Sequence, residues 1–227
     1  MVRQTFEREL QRLQNEMLTM AAMVEDVITE SVEALRCRDL EGSRRVIAQD
    51  RVINKKRYEI EADCLVNIAT QQPVASDLRV LAAILNIATE LERMGDYAKG
   101  IARINLMIGE EPLLKPLLDI PRMAEQARAM LHQALDAFVR RDVALAQAIP
   151  AQDDMVDQLY NQVYRVLMSY VITEPKNIEQ VSHLLWAAHN LERVADRVTN
   201  ICERVVFTVT GELVELDSDS SGIESLS

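Results

Sequence analysis

The feature of this 227-residue chain that most constrains its fold is an internal repeat. Leu91-Glu92-Arg93-Met94-Gly95-Asp96 returns as Leu191-Glu192-Arg193-Val194-Ala195-Asp196, an offset of 100 with four of six residues identical. Asp77 and Asn177, both helix-capping types, share that offset. Upstream the offset is 103: Ala48-Gln49-Asp50 matches Ala151-Gln152-Asp153, and Ala34-Leu35 with Asp39 matches Ala137-Phe138 with Asp142. The three-residue difference falls in the loops holding Pro73 and Pro175, where a duplicated chain tolerates a change of length. Two copies of one supersecondary unit follow.

Hydrophobic spacing makes each unit three helices. Leu10, Leu13, Met17, Met20, Val24, Val27 and Leu35, with Ser31 at the missing step, alternate by three and four and define a helix over about 5–37. Helices over about 41–71 and 78–108 follow, the third capped by Asp77 and carrying the seam Val80, Ile84, Ile87, Leu91, Met94, Ala98, Ile101. In the second copy the spacing predicts helices over about 122–141, 143–173 and 178–209. The expected fold is all-α, two tandem pseudo-symmetric three-helix bundles built from six long helices. The expected divisions are residues 1–108, a Pro/Gly-rich linker at 109–120, residues 121–210, and a disordered acidic tail at 211–227.

Composition supports this reading. Six glycines and six prolines supply too few turns for an all-β fold, and 4% aromatics are too few for a base-stacking platform. A net charge of −11 opposes nucleic-acid phosphates. Cys37, Cys64 and Cys202 are odd in number and far apart, and read as small buried hydrophobes of a reduced cytosol. The first residues lack a signal-peptide core, and no apolar run is long enough for a membrane span. Trp186 reads as a core anchor, and His132 and His183 as structural.

One stripe of side chains carries potential chemistry. Glu192, Asp196, Asn200, Glu203 and His189 share one face of the last helix. Glu92 and Asp96 hold the same face in the first copy, but Gly100 stands opposite Asn200, and Lys99 and Arg103 follow. Neighbouring helices add Asp50 and Asn54 in one copy, Asp153 and Asp157 in the other. Clustered carboxylates repel unless a cation sits among them, and hard divalent ions or iron take such oxygen donors. The alternative is a solvated stripe paired with Arg93 and Arg193. A ferritin-like di-iron centre would need Glu three residues before His, a spacing that none of the three histidines has. Phosphate-binding loops, zinc-protease signatures and nucleophile elbows are all missing from the sequence.

With Gln72-Pro73-Val74-Ala75-Ser76-Asp77-Leu78-Arg79, the duplicated Leu-Glu-Arg-…-Asp strings and Asn200-Ile201-Cys202-Glu203, residues 5–210 resemble the PhoU family. The resemblance implies a cytoplasmic, often dimeric regulator without catalytic activity. Such a regulator restrains the phosphate two-component system by linking the ATPase subunit of the phosphate transporter to the sensor histidine kinase. It also implies metal ligands at Glu92, Asp96, Glu192 and Asp196, with Asp50, Asp153, Asp157, Asn200, Glu203 and His189 as weaker candidates. Gly100 and Asn54 depart from the family pattern, and Lys99 and Arg103 add positive charge, so the second copy is expected to take a metal more readily. A second class of function remains, a carboxylate-based metal-binding protein or metal-dependent enzyme.

Overall fold

Long apolar seams with few glycines leave this chain one way to bury its hydrophobic faces, which is helix against helix. The computed structural model describes residues 2–115 and 117–216. It contains α1 (Val2–Cys37), α2 (Leu40–Gln71), α3 (Ala75–Ile108), α4 (Asp119–Arg140), α5 (Val143–Ala148), α6 (Asp153–Thr173) and α7 (Ile178–Thr210). Short 3₁₀ turns at Pro150–Gln152 and Pro175–Asn177 precede α6 and α7, and no strand occurs among the described residues. The expected all-α pair of bundles is what forms: α1, α2 and α3 pack together, as do α4, α6 and α7.

The repeat is visible down to single backbone bonds. Arg38 and Arg141, 103 residues apart, both turn left-handed at φ of 59° and 57°. The amides of Asp39 and Asp142 donate to the carbonyls of Ala34 and Ala137, each at 2.9 Å. Each aspartate then caps the following helix, Asp39 accepting from the Gly42 amide at 2.8 Å and Asp142 from Leu145 at 3.0 Å. The first copy adds a clamp. Asn105 of α3, fully buried, donates to Ala34 O, Asp39 O and Ser43 Oγ and accepts from Arg38.

Two boundaries differ from the sequence reading. Helix α3 starts at Ala75, with extended Val74 as its N-cap, so Asp77 lies in the first turn and there favours the positive end of the helix dipole. The fifth helix is broken. Pro150 has no amide hydrogen to continue the ladder, so α5 ends at Ala148 and α6 begins at Asp153. Gln152 fixes the break to α4, donating to Gln133 Oε1 at 2.8 Å.

The halves meet through α3 and α7, which run antiparallel. Arg79 near the start of α3 lies beside Gly211, just past the end of α7, while Gly100 near the end of α3 faces Asn190. Helices α1 and α4 add a second contact, and one hydrophobic core runs through both halves. All seven seam residues of α3 are buried, as are Leu13, Met17, Met20, Val24, Val27, Ser31 and Leu35 of α1. Cys64 and Cys202 are buried as expected, whereas Cys37 is exposed and bonded to Glu33. Trp186 is not a core anchor: it is 62% exposed, because the core-facing positions of its turn go to Leu184, Ala187 and Ala188.

Gln180 holds the linker, accepting from the Leu114 amide at 2.7 Å and donating to Pro112 O at 3.0 Å. Beyond α7 the chain does not leave the body at once. Val214 and Leu216 pack on the core, and the Leu216 amide donates to Glu203 at 3.2 Å. The rest of the acidic tail, from residue 217, lies outside the described residues.

Candidate functional site: two carboxylate clusters

Each half places its acidic residues where two helices face each other. In the first half α2 supplies Asp50 and α3 supplies Glu92, Asp96 and Lys99. The Lys99 ammonium lies 2.7 Å from Asp50 Oδ2 and 3.1 Å from Asp96 Oδ1, which ties the two helices together. These charged bonds raise the Lys99 pKa, the bond to Asp50 most. Asn54 also donates to Asp50, at 3.2 Å. Burial pushes the Glu92 carboxyl up, Asp96 adds to this, and the positive charge of Arg57 opposes it.

The second half carries the same geometry with different charges. Asp153 begins α6, Asp157 lies one turn on, and Glu192 and Asp196 project from α7. A helix start ordinarily lowers a carboxyl pKa. Burial and then the charges of Asp157, Asp196 and Glu192 outweigh this, and Asp153 is pushed up to about 7. Its Oδ1 is buried with no hydrogen-bond partner. Asp196 is raised by burial and by Glu192, opposed by Arg197, Arg193 and His189. The Nδ1 of His189 lies 2.5 Å from Glu192 Oε2, and its ring tilts against Tyr160 at 6.3 Å between centroids.

Two members of the stripe are turned to other partners. Asn200 donates across the halves to Glu90 Oε2 at 3.2 Å, and Glu203 accepts from Leu216 and pairs with Arg204 at 3.4 Å. Position 100, equivalent to Asn200, is glycine, and Asn190 packs close against it: a Cβ there would lie 3.1 Å from the Asn190 amide nitrogen. Sequence spacing puts residues on a face, but whether that face looks into the cluster or across to the other half depends on packing. Glu90 was missed by that reasoning. Its side chain is 12% exposed and accepts from Arg93 at 3.0 Å, with Arg197 at 3.6 Å.

As they stand, no three His, Cys, Asp or Glu side chains among the described residues converge tightly enough to hold an ion. The donor chemistry of the second half nonetheless fits a hard cation, with four carboxylates and a buried oxygen lacking a partner. The first half does not fit one, because Lys99 already bridges its carboxylates. A cavity of about 340 Å³ lies elsewhere, at the linker, lined by Met107, Leu114, Lys176, Gln180 and His183.

The sequence profile of the PhoU domain matches residues 17–104 and again 120–205. The chain belongs to the PhoU family. Among its relatives, the "Phosphate-specific transport system accessory protein PhoU homolog" of Aquifex aeolicus is 37% identical over 208 residues, covering 92% of this chain and 94% of the relative. The Escherichia coli accessory protein PhoU is 35% identical over 207 residues, covering 91% and 86%. Two solved structures share the fold. The phosphate transport system regulatory protein PhoU of Streptococcus pneumoniae matches with a TM-score of 0.84 at 32% identity, over 92% of this chain and 99% of that one. PhoU of Pseudomonas aeruginosa matches with 0.85 at 33% identity, over 91% and 100%. The two PhoU domains coincide with the two bundles, and the matched segments contain both carboxylate clusters. Among the described residues of this PhoU-family chain, no helix is long and apolar enough to cross a membrane.

Proposed function

We propose that the protein is a cytoplasmic, homodimeric, non-enzymatic regulator of phosphate uptake. It restrains the phosphate-starvation response when phosphate is plentiful, by linking the ATPase subunit of the phosphate transporter to the sensor histidine kinase. The observation that carries this reading is the near full-length likeness to PhoU accessory proteins, at 37% identity over 92% of the chain. The test is deletion of the gene in a strain with an intact transporter. Phosphate-starvation genes should be expressed in phosphate-rich medium, and unchanged repression would overturn the reading.

The same proposal gives the second half a divalent metal or iron. Asp153, Asp157, Glu192 and Asp196 would hold it, with His189 beside Glu192. A cation there would supply the charge that the cluster lacks and bind α6 to α7. A metal-binding protein or metal-dependent enzyme is the second reading, favoured by the Asp153 carboxyl held up at about 7. Metal analysis of protein purified without chelators separates the possibilities. Asp196→Ala should remove metal that Asp96→Ala leaves in place.

A further inference from the structure

We propose that Lys99 is a tethered cation standing in for a metal ion, so that the duplicated clusters have diverged into one that needs an ion and one that carries its own. The contrast between halves rests on the metal reading of the second. The repeat makes the comparison position by position. Asp50, Glu92 and Asp96 correspond to Asp153, Glu192 and Asp196. Around them Asn54 corresponds to Asp157, Arg57 to Tyr160, and Lys99 to Thr199. All three differences make the first cluster less negative than the second.

The geometry of Lys99 is that of a bridging ion. Its ammonium contacts one carboxylate on α2 and one on α3, at 2.7 and 3.1 Å, and its side chain is only 19% exposed. A divalent ion entering between Asp50 and Asp96 would have to expel this ammonium, losing two charge-assisted bonds and leaving two cations close together. The second half has no ammonium at the equivalent position. Thr199 is buried and uncharged, the charges that act on Asp153 are other carboxylates, and the basic side chains nearby pair along α7 itself, Arg193 at 3.7 Å from Asp196 and His189 at 2.5 Å from Glu192. The first half is thus closed whatever the ion concentration, and the second closes fully only when a cation arrives.

The test uses the full chain, isotope-labelled, stripped with EDTA and titrated with Mn²⁺, a paramagnetic ion that prefers oxygen ligands. Amide signals are followed site by site. Those flanking Asp153 and Asp196 should broaden first, while those flanking Asp50 and Asp96 keep their intensity. Lys99→Met keeps the aliphatic stem and removes the charge. It should raise the apparent Mn²⁺ affinity at Asp50 and Asp96 by at least about tenfold. Lys99→Arg should not. If the Met variant folds poorly, Lys99→Gln serves in its place, with circular dichroism as the check of fold.

Broadening around Asp50 and Asp96 of the wild-type chain at the same Mn²⁺ concentration as the second half overturns the proposal. So does a charge-removing variant that gains no broadening there. If neither half of the wild-type chain broadens, the metal reading of the second half fails by itself. The charge-removing variant still decides the role of Lys99, upholding it by a gain and overturning it by none.

Discussion

Asn105 shows how much a single side chain can hold. Its amide nitrogen lies within hydrogen-bond reach of two backbone carbonyls and a hydroxyl at the turn between α1 and α2, from inside the core. Asn105→Ala removes these bonds together and takes the side-chain acceptor away from the half-buried Arg38 guanidinium, so it should cost about 2–3 kcal/mol. Urea unfolding monitored by circular dichroism measures this. Trp186 predicts the opposite kind of result. Being 62% exposed, it should tolerate Trp186→Ser with a change within about 0.5 kcal/mol, whereas a true core tryptophan costs about 3–5 kcal/mol. The two residues also mark what can be read from composition. A buried asparagine looks like any polar residue in sequence, and an exposed tryptophan looks like any large hydrophobe, because burial belongs to the packed arrangement and not to the residue type.

At the scale of elements, most of the fold was legible. The seams of α1 and α3 follow from apolar spacing, and the equivalence of the turns at Asp39 and Asp142 from the repeat, although their capping of α2 and α5 emerges only in the folded chain. Two things were not. Proline at position 150 splits the fifth helix, and whether a proline sits harmlessly in a first turn or breaks a helix depends on where the helix starts. The face of α7 holding Glu192 and Asp196 could be named, but packing decided that Asn200 and Glu203 turn elsewhere. The break sets Asp153 at the head of α6 among carboxylates, and this has a pH signature. An aspartate in the unfolded chain titrates near 3.9, and Asp153 in the folded, metal-free chain near 7. The folded state therefore keeps a proton that the unfolded state has lost. The associated stability is complete below about pH 4 and is lost as pH rises through about 7. Melting temperatures of EDTA-treated protein should fall across this window, and Asp153→Asn should flatten the fall. A profile identical in both proteins would remove Asp153 as its source.

Across the whole molecule, the antiparallel pair α3 and α7 makes two bundles into one body. Glu90 is its polar fastening, receiving Arg93 from its own helix and Arg197 and Asn200 from the other half. Glu90→Gln and Arg197→Met should each destabilise the protein. A double-mutant cycle between them should yield a coupling of about 1 kcal/mol, read from chemical denaturation. Additive effects would show that the two groups act independently.

Glu90 has Asn190 at its equivalent position, as Asn200 has Gly100. A symmetric dimer of separate chains must repeat each substitution on both sides of its axis, so a useful change on one side is also suffered on the other. Joined in one polypeptide, the copies escape that rule. Each pair of facing positions can hold unlike partners, a carboxylate against an amide at one end and an amide against bare backbone at the other. The linker pinned by Gln180 is thus more than a connection. It frees two related surfaces to evolve separately while they continue to fold as one.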